Sequence, residues 1–388
     1  MRTRVLSMVL VAACGAGTGS PSTPGPSPQS VASSPSSSAS EPASPSSNDP
    51  VESAEPKPGE PEPSDPDPDP DPDPDPDPDP VERDHEPDLL GLPPSRSTSI
   101  GSPTHGRLDG GVALPLRAPG LLFLPRKDPG SRYGTVELVQ GLVRAAAAVV
   151  GTEPGAVATV GDLSRESGGD ISGHASHRSG RDVDVLFYLR RESDDTPFVP
   201  SKFIPLDPRG RGTDYGDLAD PADDVPVRID LPRTWSLVAA LVADETAGVQ
   251  SILVVEHLRA LLLEEAARVE APAAVVQRFS EVTCQPRFPH DDHMHIRVFC
   301  SADDIAAGCE DTPPLYPWRR RELAAAGTAS VRAGKAPKTE PESKPRPKLK
   351  TLEQARAEAG PMHEDVVQFL DRRKAWASKP HPGRRWCR

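Results

Sequence analysis

Between residues 65 and 80 the chain consists of eight consecutive Asp-Pro units, set in a stretch, residues 15–97, made mostly of Pro, Ser, Asp and Glu. Proline donates no backbone hydrogen bond and fixes φ, so such a run can enter neither a helix interior nor a sheet. The stretch has too little apolar surface to offset the entropy lost on ordering. Residues 14–98 are therefore predicted to be an extended, disordered linker. Everything that folds must come from about residue 98 onward, which suffices for one domain of about 200 residues plus a tail. The linker also dominates the charge: residues 1–97 hold 18 acids and 5 bases, a net of −13 against −14 for the whole chain. The acidity thus says little about the substrate, and no nucleic-acid partner is expected.

The first residues, "MRTRVLSMVLVAAC", place Arg2 and Arg4 before a short apolar run, Val5 to Ala13, and then Cys14. The run is too short to span a membrane and reads as a targeting segment. Its "VAAC" ending resembles a bacterial lipobox. That resemblance implies a signal peptide over 1–13, a diacylglycerol on the Cys14 sulfur, and an exported protein tethered to a membrane of the cell envelope; an ordinary signal peptide cut elsewhere is the simpler alternative. Four cysteines remain, Cys284, Cys300, Cys309 and Cys387, and an even count in an exported protein suggests two disulfides. Cys300 and Cys309 could close a short loop, leaving Cys284–Cys387 by elimination. No C-x-x-C pair exists, so a thiolate zinc site is not expected.

In the folding part, "GGVALPLRAPGLLFLPR" reads as two short strands around a Pro-Gly turn. "YGTVELVQGLVRAAAAVV" has apolar residues at helical spacing. "AVATVGDLS" is a strand entering the Gly-rich loop "SGGDISGHASHRSG", and "RDVDVLFYL" is a strand that becomes buried. Residues 191–229 show no period and read as a long irregular insertion. Asp230 can cap a helix with Pro232 in its first turn. "VQSILVV" is a strand, two helices follow, and "HMHIRVF" is the last strand. This order lacks βαβ regularity and predicts an α+β fold. Residues 313–388 are basic, with 18 Lys/Arg against 8 Asp/Glu. They read as a partly disordered extension with one helix, "HEDVVQFLDRRKAW", able to contact an acidic partner.

Five of the ten histidines fall in two short polar clusters, "GHASH" and "HDDHMH". On a strand, side chains alternate. His293, His295, Arg297 and Phe299 then share one face, while Met294, Ile296 and Val298 share the other. Likewise Asp182 and Asp184 oppose Val183 and Val185. Carboxylates aimed into a core are costly unless paired or metal-bound. Imidazoles two residues apart sit about 6.7 Å apart along a strand. Both can reach one ion, or one can hold it while its neighbour handles protons, which suits a hydrolase. A catalytic zinc takes three protein ligands of N/O type and keeps one position open. His177, on a Gly-flanked loop able to fold back, makes that set with Asp184 and His295. Bound zinc lowers the pKa of water to about 7, so no covalent nucleophile is required. In keeping with this, the chain has neither G-x-S-x-G nor H-E-x-x-H.

"GSPTHGRL" (101–108), "GDLSRESGG" (161–169), "GHASHRSGRDVDV" (173–185), "RTWSLVAALV" (233–242) and "HDDHMHIRVFC" (290–300) resemble the penicillin-insensitive murein endopeptidases, a family of the LAS metallopeptidases related to D-Ala-D-Ala carboxypeptidases and the hedgehog fold. The resemblance covers residues 99–312. It implies a small antiparallel sheet flanked by helices, one zinc on His177, Asp184 and His295, and His293 as general base or transition-state stabiliser. His174 and His290 fall on further histidine positions lining the cleft; "CSADDIAAGC" resembles a disulfide loop of the family, in favour of Cys300–Cys309. Asp182 is expected to orient a ligand histidine. The chain has no histidine from Val185 to Glu256, where some members carry a ligand for a second ion, so one zinc is expected and His174 is assigned to support. The implied activity is zinc-dependent hydrolysis of D-Ala-containing cross-links of peptidoglycan, insensitive to β-lactams. Two other readings are a D,D-carboxypeptidase trimming pentapeptide stems and a lipid-anchored wall-binding protein without catalysis.

Overall fold

The computed structural model describes residues 88–286, 290–334, 357 and 359–377. Cys14 and the expected signal peptide and linker up to residue 87 lie outside the described residues, as does Cys387. Strands β1 (Thr98–Ser102) and β2 (His105–Asp109) form an antiparallel hairpin, and β3 (Val112–Ala113) pairs with β6 (Tyr133–Gly134). The main sheet is built from β4 (Arg117–Ala118), β5 (Leu121–Phe123), β7 (Ala158–Val160), β8 (Asp182–Leu186), β13 (Val249–Leu253), β14 (Thr283–Cys284) and β15 (His293–Val298). Its order is β14-β13-β15-β8-β7-β5-β4. The fold is α+β, as expected, but the sheet is mixed rather than wholly antiparallel: β5 runs parallel to β7, and β13 to β14. In each case helices carry the chain back before the next strand. Between β5 and β7 this is α1 (Val136–Thr152); between β13 and β14 it is α3 (Glu256–Arg268) and α4 (Ala273–Val282).

The helices start where the sequence provides caps. The Thr135 hydroxyl accepts from the Leu138 amide at the head of α1, and the Asp230 carboxylate accepts from Arg233 at the head of α2 (Leu231–Ala243). Leu142 and Val149 of α1 and Leu237 and Leu241 of α2 join one hydrophobic cluster with Val183, Val185, Met294, Ile296 and Val298 from the sheet. These five strand side chains are 0–1% exposed. Burying each stabilises the fold by roughly 1.5–3 kcal/mol relative to exposure. A one-residue slip of β8 against β15 would move them all to the other face. The apolar face therefore fixes the register of the polar face behind it.

The stretch 191–229 is more ordered than its composition predicts. Strands β9 (Leu189–Arg191), β10 (Pro197–Phe198), β11 (Arg211–Asp214) and β12 (Val225–Ile229) form a second sheet in the order β10-β9-β12-β11. The strands are short and interrupted by Pro and Gly, which hides their alternation. The chain past residue 312 also remains in contact with the domain: Tyr316 and Leu323, the latter on α6 (Pro317–Ala325), are buried. The expected C-terminal helix is α7 (Glu364–Ala377), with Val366 and Phe369 buried. Cys300 and Cys309 are joined, with Cα atoms 5.9 Å apart, around α5 (Ala302–Ala306). Cys284 is also disulfide-bonded, and the expected pairing with Cys387 falls on a residue outside the described ones.

Asp304, on α5, is 4% exposed. Burial and the neighbouring Glu137 carboxylate push its pKa up to about 7, against the pull of Arg181. An unfolded Asp titrates near 3.9. Between about pH 4 and 7 the folded chain thus holds a proton the unfolded chain has lost, and stability falls as pH rises through that window. Above it the loss is complete. Asp304→Asn should flatten the fall. Thermal unfolding of both proteins at pH 5 and pH 8, with chelator present throughout, checks this; parallel profiles would rule it out.

Candidate metal centre

β15 and β8 are antiparallel neighbours in the middle of the main sheet, with His295 opposite Asp184 and Arg297 opposite Asp182. Directly opposed side chains share a face and lie close together. The face behind the apolar core thus gathers the carboxylates of one strand and the imidazoles of the other. The third part comes from the loop before β8. Gly168 makes the fold-back possible: it sits at φ +74°, and a Cβ there would lie 2.3 Å from the Arg178 carbonyl. His177 itself adopts a left-handed φ of 69° and is held from two sides. Its Nδ1–H donates to the Leu163 carbonyl at 2.6 Å, and its amide donates to Asp182 Oδ2 at 3.1 Å.

When the rings are neutral, these bonds select the tautomers. With Nδ1 facing a carbonyl, His177 turns the lone pair of Nε2 inward. His295 donates Nε2–H to Asp182 Oδ1 at 2.9 Å, so its Nδ1 carries the inward lone pair. His177 Nε2 lies 3.2 Å from His295 Nδ1 and 3.4 Å from Asp184 Oδ1, and His295 Nδ1 lies 3.2 Å from Asp184 Oδ1. Three potential ligand atoms face one another in a site where His177, Asp184 and His295 are 0%, 1% and 5% exposed. Asp184 Oδ1 is buried and receives no aligned hydrogen bond among the described residues. Ligands bound at 2.0–2.1 Å around a tetrahedral ion are separated by about 3.3–3.4 Å. The observed triangle has that size, and the donor set fits a metal.

The charges point the same way. Burial would raise the Asp184 pKa, but His177 and His293 hold it well below the usual carboxylate range. Burial would lower His177, yet Asp184 and Asp182 pull it up. The pocket attracts positive charge. Asp182, 0% exposed, would also be raised by burial but is held far down by Arg297, which donates at 2.6 Å, and by His295.

His293 stands at the rim. Its Nδ1 pairs with Asp292 at 2.6 Å and its Nε2 lies 3.5 Å from Asp184 Oδ1. Burial lowers its pKa, and Asp184 and Asp292 together raise it. Phe203 meets its ring edge-to-face at 5.0 Å, and the His290 ring lies 4.7 Å away. His174 bonds Asp162 at 2.9 Å through Nε2 and leaves Nδ1 3.9 Å from Asp184 Oδ2. His174, His177 and Asp184 thus also bring one ligand atom each within 4.8 Å of the others.

All seven of the sequence-selected polar side chains, His174, His177, Asp182, Asp184, His290, His293 and His295, converge. Sequence reasoning missed Asp162, Asp292, Arg297 as the partner of Asp182, and the Leu163 carbonyl. Asp292 was open to discovery, because it adjoins His293 in "HDDH". Arg297 shares the alternating face of "HMHIRV" and carried the same signal. Asp162 and the carbonyl carried none.

The family described as penicillin-insensitive murein endopeptidase matches residues 99–202. Curated relatives agree. A penicillin-insensitive murein endopeptidase of Klebsiella pneumoniae subsp. pneumoniae is 31% identical over 223 residues, covering 56% of this chain and 72% of the relative. One from Pectobacterium atrosepticum is 29% identical over 220 residues, 56% of this chain and 70% of the relative. One from Escherichia coli strain K12 / DH10B is 27% identical over 221 residues, 57% of this chain and 72% of the relative. Shared identity over most of such a relative, together with the converging residues of the two histidine clusters, places the chain in the penicillin-insensitive murein endopeptidase family.

Proposed function

We propose that this chain is a murein endopeptidase that hydrolyses D-Ala-containing peptide cross-links of peptidoglycan, with a single zinc on His177 Nε2, Asp184 Oδ1 and His295 Nδ1. The observation that carries the reading is the triangle of His177 Nε2, Asp184 Oδ1 and His295 Nδ1, 3.2–3.4 Å on each edge, in a site closed to solvent. Zinc suits three N/O ligands with an open fourth position. When bound there it supplies Lewis acidity and an acidified water. The hedgehog-like and LAS-type relationship belongs to this reading.

The rest is done by the chain's own side chains. His293, gripped at Nδ1 by Asp292 and turned by Phe203, presents Nε2 to the open side of the centre. There it moves the proton between the attacking water and the departing amine, or holds the developing oxyanion. His290 supports it from the adjacent ring position. His174, tied to Asp162, and Asp182, tied to His295 and Arg297, keep the centre in shape. No serine is acylated, so a β-lactam should leave turnover unchanged. A lipid anchor at Cys14 would hold the domain at a membrane of the envelope, within reach of the wall; among the described residues no helix is long and apolar enough to cross a membrane.

Isolated sacculi incubated with the zinc-loaded protein should lose cross-linked dimers and gain monomers on chromatography. Persistence of the dimers would reject the reading. Monomeric pentapeptide serves as the control for a carboxypeptidase. Asp182→Asn removes the charge that holds His295 in its tautomer, and should weaken zinc affinity about 10–100-fold. Competition against a fluorescent chelator measures this; wild-type affinity would show that Asp182 does not orient the ligand.

A further inference from the structure

Asp291 is a charged residue with no exposure, one step from each of two residues of the cleft. A buried carboxylate needs a partner, and this one finds it on the C-terminal helix. Arg373 grips it with two donors, Nε at 2.8 Å and Nη2 at 2.6 Å, and Trp376 Nε1 donates at 2.9 Å. The body of the domain holds the same segment from the other side: the Leu206 amide donates to the Asp291 carbonyl at 2.8 Å, and the Val255 amide to the His290 carbonyl at 3.2 Å. His290 sits at φ +48°, a left-handed conformation that a side-chain-bearing residue keeps only when its surroundings impose it. The two residues after Asp291 are Asp292 and His293, the orienting carboxylate and the rim imidazole.

α7 is itself seated. Val366 and Phe369 are 3% and 7% exposed, the Trp376 ring meets His257 at 6.0 Å, and His363 Nε2 lies 3.2 Å from Asp224. Its grip on Asp291 therefore connects a packed helix to the four residues 290–293. A guanidinium fork fixes direction as well as distance, which a single ammonium cannot do.

We propose that α7 is a latch for the catalytic segment, with Arg373 and Trp376 acting through Asp291 as positioning residues for His290 and His293. The proposal rests on the peptidase reading given above. Misplacing a reacting group by about 1 Å can cost 10²-fold in rate. Unseating the latch should therefore lower kcat while the ion stays in place.

The test uses the full chain, zinc-loaded, with a purified cross-linked muropeptide. Arg373→Ala should lower kcat about 10–100-fold with KM little changed and one zinc per chain retained. Arg373→Lys, which keeps the charge without the fork, should fall between Arg373→Ala and wild type. Trp376→Phe removes the indole donor while keeping an aromatic ring, and remains informative should Arg373→Ala fail to fold; it should lower kcat by a smaller factor. Hydrogen exchange on the metal-free proteins gives a second readout: exchange should rise across 290–293 in the variants and stay unchanged across β8. Wild-type kcat and exchange in Trp376→Phe and Arg373→Lys would overturn the latch, as would losses that merely track lost zinc. If the wild-type protein leaves the muropeptide intact, the peptidase reading fails, and the exchange data still decide whether α7 holds the segment.

Discussion

Alanine at His295 should leave a purified protein without zinc and without activity, whereas alanine at His293 should keep the zinc and slow turnover about 10²–10⁴-fold. The two histidines lie two residues apart on one strand and differ only in what each ring faces. His295 is pinned between Asp182 and Asp184, at 2.9 Å and 3.2 Å, with both nitrogens committed. Without it the triangle loses a corner, and two donors cannot define a closed site. His293 has one nitrogen committed to Asp292 and the other directed to the rim, and its side chain is 17% exposed. Its loss leaves all three proposed ligands in place. Metal analysis beside kcat on sacculi separates the two effects. Equal zinc loss in both variants would mean that both imidazoles are ligands; full activity in His293→Ala would remove it from the proton path.

Arg181→Ala should destabilise the domain by about 3–5 kcal/mol, the cost of leaving a buried carboxylate without its partner. That is a large share of the 5–15 kcal/mol that holds a typical domain together. Arg181 is 0% exposed and among the largest fully buried side chains. It pairs with Asp311 at 3.1 Å, also 0% exposed, and donates to Ser99, the Val298 carbonyl and the Glu310 carbonyl. One side chain thus joins β1, the end of β15 and the segment that follows the disulfide loop. Burial pulls its pKa down, and Asp311 and Asp182 counter that; a guanidinium keeps its proton in proteins. Arg181→Met combined with Asp311→Leu removes both charges and should lose less stability than Arg181→Ala alone. Urea unfolding of the three proteins decides it. A single-variant loss under 1 kcal/mol, or a double variant worse than the single, would contradict the role assigned to the pair.

The strands that carry the site were legible because each alternates. "RDVDV" and "HMHIRV" announce one polar and one apolar face without reference to anything else, and the structure has those faces where alternation puts them. Their adjacency, antiparallel with His295 opposite Asp184, is a pairing across more than a hundred residues and leaves no local mark. The same reason hid Asp311, which meets Arg181 130 residues away, whereas Asp162 meets His174 across 12 residues of irregular Gly-rich loop that has no period to read. Arg181 reads in sequence as the charged neighbour of Asp182; in the fold its guanidinium goes to Ser99, Val298, Glu310 and Asp311. The second sheet escaped because β10 and β11 are two and four residues long and bounded by Pro and Gly. The helix α7 was legible as a helix, but its hold on Asp291 was not, since a basic face at helical spacing looks the same whether it meets solvent or a buried carboxylate.

Metal content decides whether the two distant polar clusters hold one ion between them. Elemental analysis of the protein purified with zinc present, then dialysed, should give one zinc per chain, with none in His177→Ala, Asp184→Ala or His295→Ala while each still unfolds cooperatively. A folded wild-type chain that retains no zinc, or a folded His177→Ala/His295→Ala protein that retains a full equivalent, would contradict it.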